Sequence, residues 1–309
     1  MEDPSVVTSE ATNGTPQAIT AVVCTLGTSP TLEATCTSIA EELGEDDELL
    51  VIVDGGLVPE RLTGLEHPIR VVQQQASGVA VARQRALEDA SADVICYVDD
   101  DELVCQGWRD ALAKAFADPT VGLAGGTILV AWPDGARPRW VHDELLTSFG
   151  MREAGASCPH LPFGGNFAVR RRAAVSVGGF RVDLGPRPGR PGSHEETELC
   201  SRLMKAGWRL AEVPGAVVEH HVRVEQMRPR WLLRRAWYQG RSDATMATAL
   251  DERDDLVRLG KLAGLCVVLP FVAFSSRLRT YVAARLLVNL GYLSSLTVPV
   301  MFGPTRPNV

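Results

Sequence analysis

The sequence predicts an α/β fold, a mainly parallel sheet with helices on both faces, followed by a helical C-terminal region. Two observations carry this reading. Short apolar runs alternate with helix-like stretches between Ile19 and Val98, the order that joins parallel strands through crossover helices. An apolar fraction of 45% over 309 residues can fill the core of one large domain or two modest ones.

Met1 to Pro16 is acidic and rich in Ser, Thr and Pro, without the charged-then-apolar order of a signal peptide. Residues 1–17 are therefore expected to be a disordered leader on a cytoplasmic protein. Ile19 to Cys24 reads as the first strand, the turn formers Gly27 to Pro30 follow, and Thr31 to Leu43 has helical character. Leu49 to Val53 is a second strand closing at Asp54-Gly55-Gly56, Ile69 to Val72 a third, and Val79 to Ala90 a helix leading into the strand Val94 to Val98. Thr25, Asp54 and the triplet Asp99-Asp100-Asp101 thus sit at strand carboxyl ends, where sheets of this kind hold ligands. Each alone is an ordinary strand-ending turn; together they outline one edge of a pocket.

Val121 to Trp132 is a further β-like segment with Gly125-Gly126, and Pro133 to Pro138 marks a loop. Residues 185–193 are the densest run of turn formers, either a flap above the site or a surface connection. Beyond His221 the composition changes. Residues 221–309 carry 13 Arg/Lys against 6 Asp/Glu, whereas residues 1–220 carry 18 against 32. The acidic body argues against a nucleic-acid partner. The basic tail meets phosphates, anionic lipid or the acidic body itself. Its apolar runs, Leu262 to Phe274 and Tyr281 to Phe302, are short or interrupted for a span of ~20 apolar residues. Interfacial insertion or a packed helical hairpin fits them better.

Seven scattered cysteines with no CxxC pair read as reduced thiols, not disulfides or zinc ligands. Only three of 31 basic residues are lysine, which points to a GC-rich bacterial genome. Three carboxylates in a row repel one another, so the triplet calls for a cation and, behind it, a phosphorylated substrate.

Several segments carry a more specific signal: Val22-Val23-Cys24-Thr25, Ile52-Val53-Asp54, Gly78 to Gln84, Tyr97 to Asp101, Gly164-Gly165-Asn166, Val177 to Phe180, and His194 to Leu199. In this order they resemble the blocks of the bacterial family 2 glycosyltransferases of the GT-A fold, over roughly Ile19 to His221. The resemblance implies a GT-A catalytic domain at 18–221, with a nucleotide-binding half (18–130) and an acceptor half (131–221), and a basic, apolar helical region at 222–309. It implies an inverting, metal-dependent transfer from a nucleotide-diphosphate sugar, UDP-sugar favoured, to a hydroxyl acceptor, in cell-surface glycan or secondary-metabolite synthesis.

Carried over by residue, Thr25 lies at the first nucleotide turn, Asp54 bonds the base, and Arg83 stands in the donor block, followed by Gln84 where the family usually has Asn. Asp99 contacts ribose or a metal-bound water, and Asp101 binds Mg²⁺ or Mn²⁺. Gly165 and Asn166 bring backbone close to donor or acceptor. Glu196, the second member of the pair Glu195-Glu196, is the catalytic base. His221 reaches the metal or the diphosphate. Gln226 to Trp231 is one residue longer than the Gln-x-x-Arg-Trp motif of processive synthases, so no processivity is inferred.

Two other readings compete. A sugar nucleotidyltransferase wants a Gly-rich basic loop after the first strand, and Thr25 to Pro30 has one glycine and no basic residue. A non-catalytic GT-A-like module binding glycan or lipid does not need intact Asp99, Asp101 and Glu196. For localisation the expectation is cytoplasmic, with the C-terminal region either touching the inner face of the membrane or completing a soluble fold.

Overall fold

The computed structural model describes the strand Val6–Thr8 and residues 17–60, 62, 67–155, 164–187, 189, 191–272 and 274–295. The chain divides into two compact units. The first comprises Met1–Ala131, Gly150–Val182 and Glu195–His221; the second comprises Trp132–Phe149, Asp183–His194 and Val222–Val309. The second unit is thus larger than the expected 222–309 tail and takes two segments from within the expected catalytic domain.

The first unit is built on one nine-stranded sheet. Its strands are β1 (Val6–Thr8), β2 (Ile19–Thr25), β3 (Glu48–Asp54), β4 (Ile69–Gln74), β5 (Val94–Asp99), β6 (Glu102–Val104), β7 (Val121–Ala131), β8 (Asn166–Arg170) and β9 (Arg209–His221). They lie in the order β1-β9-β7-β8-β5-β2-β3-β4, with β6 paired to β9. The pairs β2–β3, β2–β5, β3–β4, β7–β9 and β1–β9 are parallel. β8 runs antiparallel between β5 and β7, and β6 antiparallel to β9. The sheet is therefore mixed and mainly parallel, as expected. Within the stretch expected to be a leader, Val6–Thr8 pairs with Leu210, Ala211 and Glu212.

The pleat sends alternate side chains to opposite faces. Ile19, Ala21 and Val23 with Leu49, Val51 and Val53 share a core with Leu32, Cys36 and Ile39 of α1 (Leu32–Glu42) and Trp108 and Leu112 of α3 (Trp108–Ala115). Val22, Leu50, Ile52 and Tyr97 face the other way, onto Ala82 and Ala86 of α2 (Val79–Asp89), Ala173 and Ala174 of α4 (Arg171–Ser176), and Leu199 and Leu203 of α5 (Glu195–Lys205). Near-continuous apolar strands are what two covered faces require. Cys24, Cys36, Cys96, Cys105, Cys200 and Cys266 are free thiols.

The second unit contains α6 (Pro229–Leu250), α7 (Asp255–Val268) and α8 (Ser276–Ser294). Pro229 opens α6 at a position where its missing N–H costs nothing, and Asp251 closes it in the left-handed conformation (φ 59°). α6 and α8 meet at glycines. A side chain on Gly240 would collide with the Val288 carbonyl, and one on Gly291 with that of Trp237. Gln226 turns inward to accept a bond from the Arg223 amide at 2.6 Å, capping its own turn. No described helix is long and apolar enough to cross a membrane.

Candidate active site

The carboxyl ends of β5, β2 and β3 lie side by side, so the sheet brings Thr25, Asp54 and the aspartate triplet to one edge. Asp54 is 4% exposed and accepts three bonds, from Gln74 Nε2 at 2.8 Å, the Ser77 amide at 2.9 Å and the Gly78 amide at 2.8 Å. Much of its capacity therefore goes into fixing the turn that starts α2. The Thr25 hydroxyl donates to Asp100 Oδ2 at 2.5 Å and accepts from the Gly27 amide at 2.9 Å. Ser29 and Thr31 donate to the Asp100 carbonyl at 2.8 and 3.0 Å. Asp100 is thus the member of the triplet that holds the first loop against the sheet, while Asp99 and Asp101 flank it.

Arg83 lies on the inner face of α2 and is 3% exposed. Below it Tyr97 and Phe167 stack at 4.8 Å, and the guanidinium lies 5.4 Å from the Phe167 ring. Nη1 donates to Glu195 Oε1 at 2.7 Å; Nη2 donates to Asp99 Oδ1 and to the Gly164 carbonyl, both at 2.9 Å. Glu196 Oε2 is 3.8 Å from Nη1. Burial alone would lower the Arg83 pKa, but the charges of Glu195, Asp99 and Glu196 outweigh it and the net shift is upward. One guanidinium therefore joins the end of β5 to the start of α5.

The glycine pair leaves room for two side chains. A Cβ on Gly164 would strike the Arg83 guanidinium, and one on Gly165 would strike the Glu102 carboxyl. Asn166 is fully buried beneath the site. Its amide donates to the Thr127 carbonyl at 2.9 Å and the Ala216 carbonyl at 2.8 Å, and its oxygen accepts from Trp108 Nε1 at 3.0 Å. Gln84 plays a similar part, its oxygen accepting from the Phe180 amide at 2.9 Å and so tying the 177–180 turn to α2.

Two acids carry strain. Glu195 is pushed up to about 8, first by burial and then by the charge of Glu196, with Arg83 opposing. Glu102 is 3% exposed and raised well above the usual carboxylate range, first by burial and then by Asp99 and Asp101. Glu102 Oε2 and Glu195 Oε2 have no hydrogen-bond partner among the described residues. Sequence reasoning did not single out Glu102. Its available signal was the Leu103-Val104 pair that follows it, which marks the start of a further short strand, β6.

The histidines also sort differently from the expectation. His220, not His221, places its ring by Asp101, Nε2 to Oδ1 at 3.6 Å. The His221 amide donates to the Asp101 carbonyl at 2.8 Å, and its own Nε2 is buried without a hydrogen-bond partner among the described residues. Among the described residues, no group of three or more His, Cys, Asp or Glu is arranged to hold an ion. Asp99, Asp101 and His221 therefore do not form a closed protein cage. The two carboxylates of Asp99 and Asp101 would fit a hard cation that takes the rest of its shell from diphosphate oxygens and water.

Within the second unit, a cavity of about 220 Å³ is lined by Trp231, Arg234, Arg235 and Tyr238 together with Pro191 to Ser193. Nearby His194 Nε2 lies 2.8 Å from Asp243 Oδ1, and His194 adopts φ 79° immediately before α5.

Residues 20–178 match the protein family described as Glycosyl transferase family 2. A pre-mycofactocin glycosyltransferase of Mycobacterium tuberculosis is 30% identical over 261 residues, covering 82% of this chain and 51% of the relative. The chain thus spans about half the length of that relative. The succinoglycan biosynthesis protein ExoM of Rhizobium meliloti is 26% identical over 253 residues, covering 78% of this chain and 76% of its own. Among solved structures, a mannosyltransferase of Pyrobaculum calidifontis in complex with GDP-Man and Mn²⁺ superposes with a TM-score of 0.59 at 18% identity, over 94% of this chain and 79% of that one. GalNAc-T7 with UDP, GalNAc and Mn²⁺ gives 0.51 at 18% identity, over 74% and 50%.

Proposed function

Since the chain belongs to glycosyl transferase family 2, we propose that it moves a sugar from a nucleotide-diphosphate donor to a hydroxyl acceptor in one inverting displacement, in glycan or secondary-metabolite biosynthesis. The observation that carries this reading is the shared guanidinium of Arg83, which ties Asp99 to Glu195 and Glu196 within 3.8 Å. Donor-side acids and the base pair are thereby held in one frame, the positioning that converts binding into rate.

In this reading Asp99 and Asp101 would hold Mn²⁺ or Mg²⁺, an ion that would supply positive charge toward the diphosphate leaving group. Mn²⁺ is present in the mannosyltransferase and GalNAc-T7 structures, one with GDP-Man and one with UDP. UDP-sugar is the favoured donor, with Thr25 and Asp54 at the nucleotide edge. Glu196 takes the acceptor hydroxyl proton as the oxygen attacks the anomeric carbon from the face opposite the diphosphate. Glu195, buried behind it and protonated in most molecules at neutral pH, keeps a second negative charge away from the base. Gly165 and Asn166 act here as positioning residues, one by making room for Glu102 and the other by locking β7, β9 and α3 together.

The nucleotidyltransferase reading is weakened further by Thr25, Ser29 and Thr31, whose hydroxyls turn toward Asp100 instead of cradling a phosphate. The decisive experiment measures release of UDP or GDP from a panel of nucleotide sugars with Mn²⁺. A non-catalytic module releases none. Glu196→Gln is expected to keep donor binding and lower turnover by about 10²–10⁴-fold, and Asp101→Asn to weaken metal-dependent donor binding. Normal turnover in either variant removes the role assigned to that residue.

A further inference from the structure

We propose that α7 and the turn after it lie in the headgroup region of an anionic lipid bilayer. α7 has no buried residue. Leu256 is 83% exposed, Val267 68%, Phe271 80% and Phe274 102%. Leu256, Leu259, Ala263 and Val267 recur at a spacing of three to four, so they form one stripe along the helix, and Phe271 and Phe274 extend it. A surface helix of a water-exposed protein shows the reverse pattern, polar residues outward.

Charge selects the occupant. Asp255 is the last acidic residue of the chain, and Arg258, Lys261, Arg277, Arg279, Arg285 and Arg306 follow it. Arg258 pairs with Asp243 and Asp254, and Arg277 with Asp143. Lys261 and Arg285 are exposed and form no ion pair among the described residues. Exposed apolar side chains in a segment with the exposed cations Lys261 and Arg285 match a layer whose outside is anionic and whose inside is hydrocarbon. A second copy fits less well, because a two-fold contact would bring two basic faces together. Length excludes a span: the 14 residues of α7 reach about 21 Å at ~1.5 Å per residue, so the helix lies in the plane of the interface.

The test mixes the purified full chain with sedimenting vesicles of equimolar phosphatidylglycerol and phosphatidylcholine, and separately of phosphatidylcholine alone. Binding to the mixed vesicles is expected to be about tenfold tighter and to weaken in high salt. Phe271→Asp/Phe274→Asp is expected to reduce it by about 100-fold with unchanged thermal melting and unchanged nucleotide-sugar hydrolysis, which separates this inference from the transferase reading. Phe274→Trp should be quenched by brominated lipid in the folded protein. Equal binding to both vesicles, or binding that survives the double aspartate variant, overturns the proposal. So does a lipid-free dimer that the double variant breaks, which gives the face to a second copy. Vesicle binding that appears only after removal of residues 296–309 gives the face to that segment and overturns it as well.

Discussion

Two arginines sit equally deep in the first unit and are used in opposite ways. Arg152 and Glu212 have side chains 1% and 3% exposed. Arg152 Nη2 reaches both carboxylate oxygens, at 2.7 and 2.8 Å; Nη1 reaches the Gly126 carbonyl at 2.6 Å; and the Gly155 amide completes the carboxylate at 3.1 Å. Both oxygens of the Glu212 carboxylate thus meet a donor. Arg83 is instead divided among Asp99, Glu195 and Glu196, leaving Glu195 with a bare oxygen and a raised pKa. A closed pair fixes the fold, whereas an open one keeps charge poised for a ligand, and the open one stands where two element ends converge.

The largest expected effect separates the two directly. Arg152→Met strands a buried carboxylate, and urea unfolding should show a loss of about 3–5 kcal/mol. Arg83→Met should cost clearly less stability, because Glu195 already holds a proton up to about pH 8 and neutralises its own site. The same variant should lower turnover by about 10²-fold or more as Asp99 and Glu196 lose their common anchor. Equal destabilisation in the two variants, or full turnover in Arg83→Met, would break the distinction.

That distinction was only half visible in the sequence. The mainly parallel sheet and the edge carrying Thr25, Asp54 and Asp99 followed from alternation and strand ends, whereas the strand order β3-β2-β5 came only with the structure. Arg83 was legible as a site residue, but its burial was not, since partners 81 and 112 residues away are set by folding alone. The inward turn of Glu102 was hidden for the same reason, and with it the requirement for glycine at 165. The antiparallel insertion of β8 and the assignment of 132–149 and 183–194 to the second unit depend on long-range packing, on which local propensity is silent.

A smaller effect sharpens the comparison through pH. Glu195 has a folded pKa raised from 4.5 to about 8, so between these values the folded protein retains a proton that the unfolded chain releases. Its contribution is therefore full below pH 4.5 and declines as pH rises through 8, with a slope approaching about 1.4 kcal/mol per unit. Asp47 behaves in the opposite sense. Burial pushes it up, but bonds from Arg109 and from the Ile19 and Gly44 amides outweigh this and lower it, so its contribution is present at neutral pH and lost on acidification. Chemical denaturation across pH should show Glu195→Gln removing the decline in stability between about pH 4.5 and 8, and Asp47→Asn flattening the acid side. An unchanged profile in Glu195→Gln would mean that Arg83 keeps Glu195 ionised and that the site is closed after all.

The smallest effect concerns the middle of the aspartate triplet. Asp100 accepts at Oδ2 from the Thr25 hydroxyl and at its carbonyl from Ser29 and Thr31, so it belongs with the groups that fix the fold. An asparagine retains an oxygen that accepts from Thr25 and leaves the backbone carbonyl untouched. Asp100→Asn is therefore expected to cost no more than about 1 kcal/mol in unfolding experiments and to leave turnover within a few-fold of the parent, beside the large losses expected of Asp101→Asn. A turnover defect in Asp100→Asn as deep as that of Asp101→Asn would show that the triplet acts as a single anionic unit, and that hydrogen-bond closure does not separate structural from working carboxylates at this edge of the sheet.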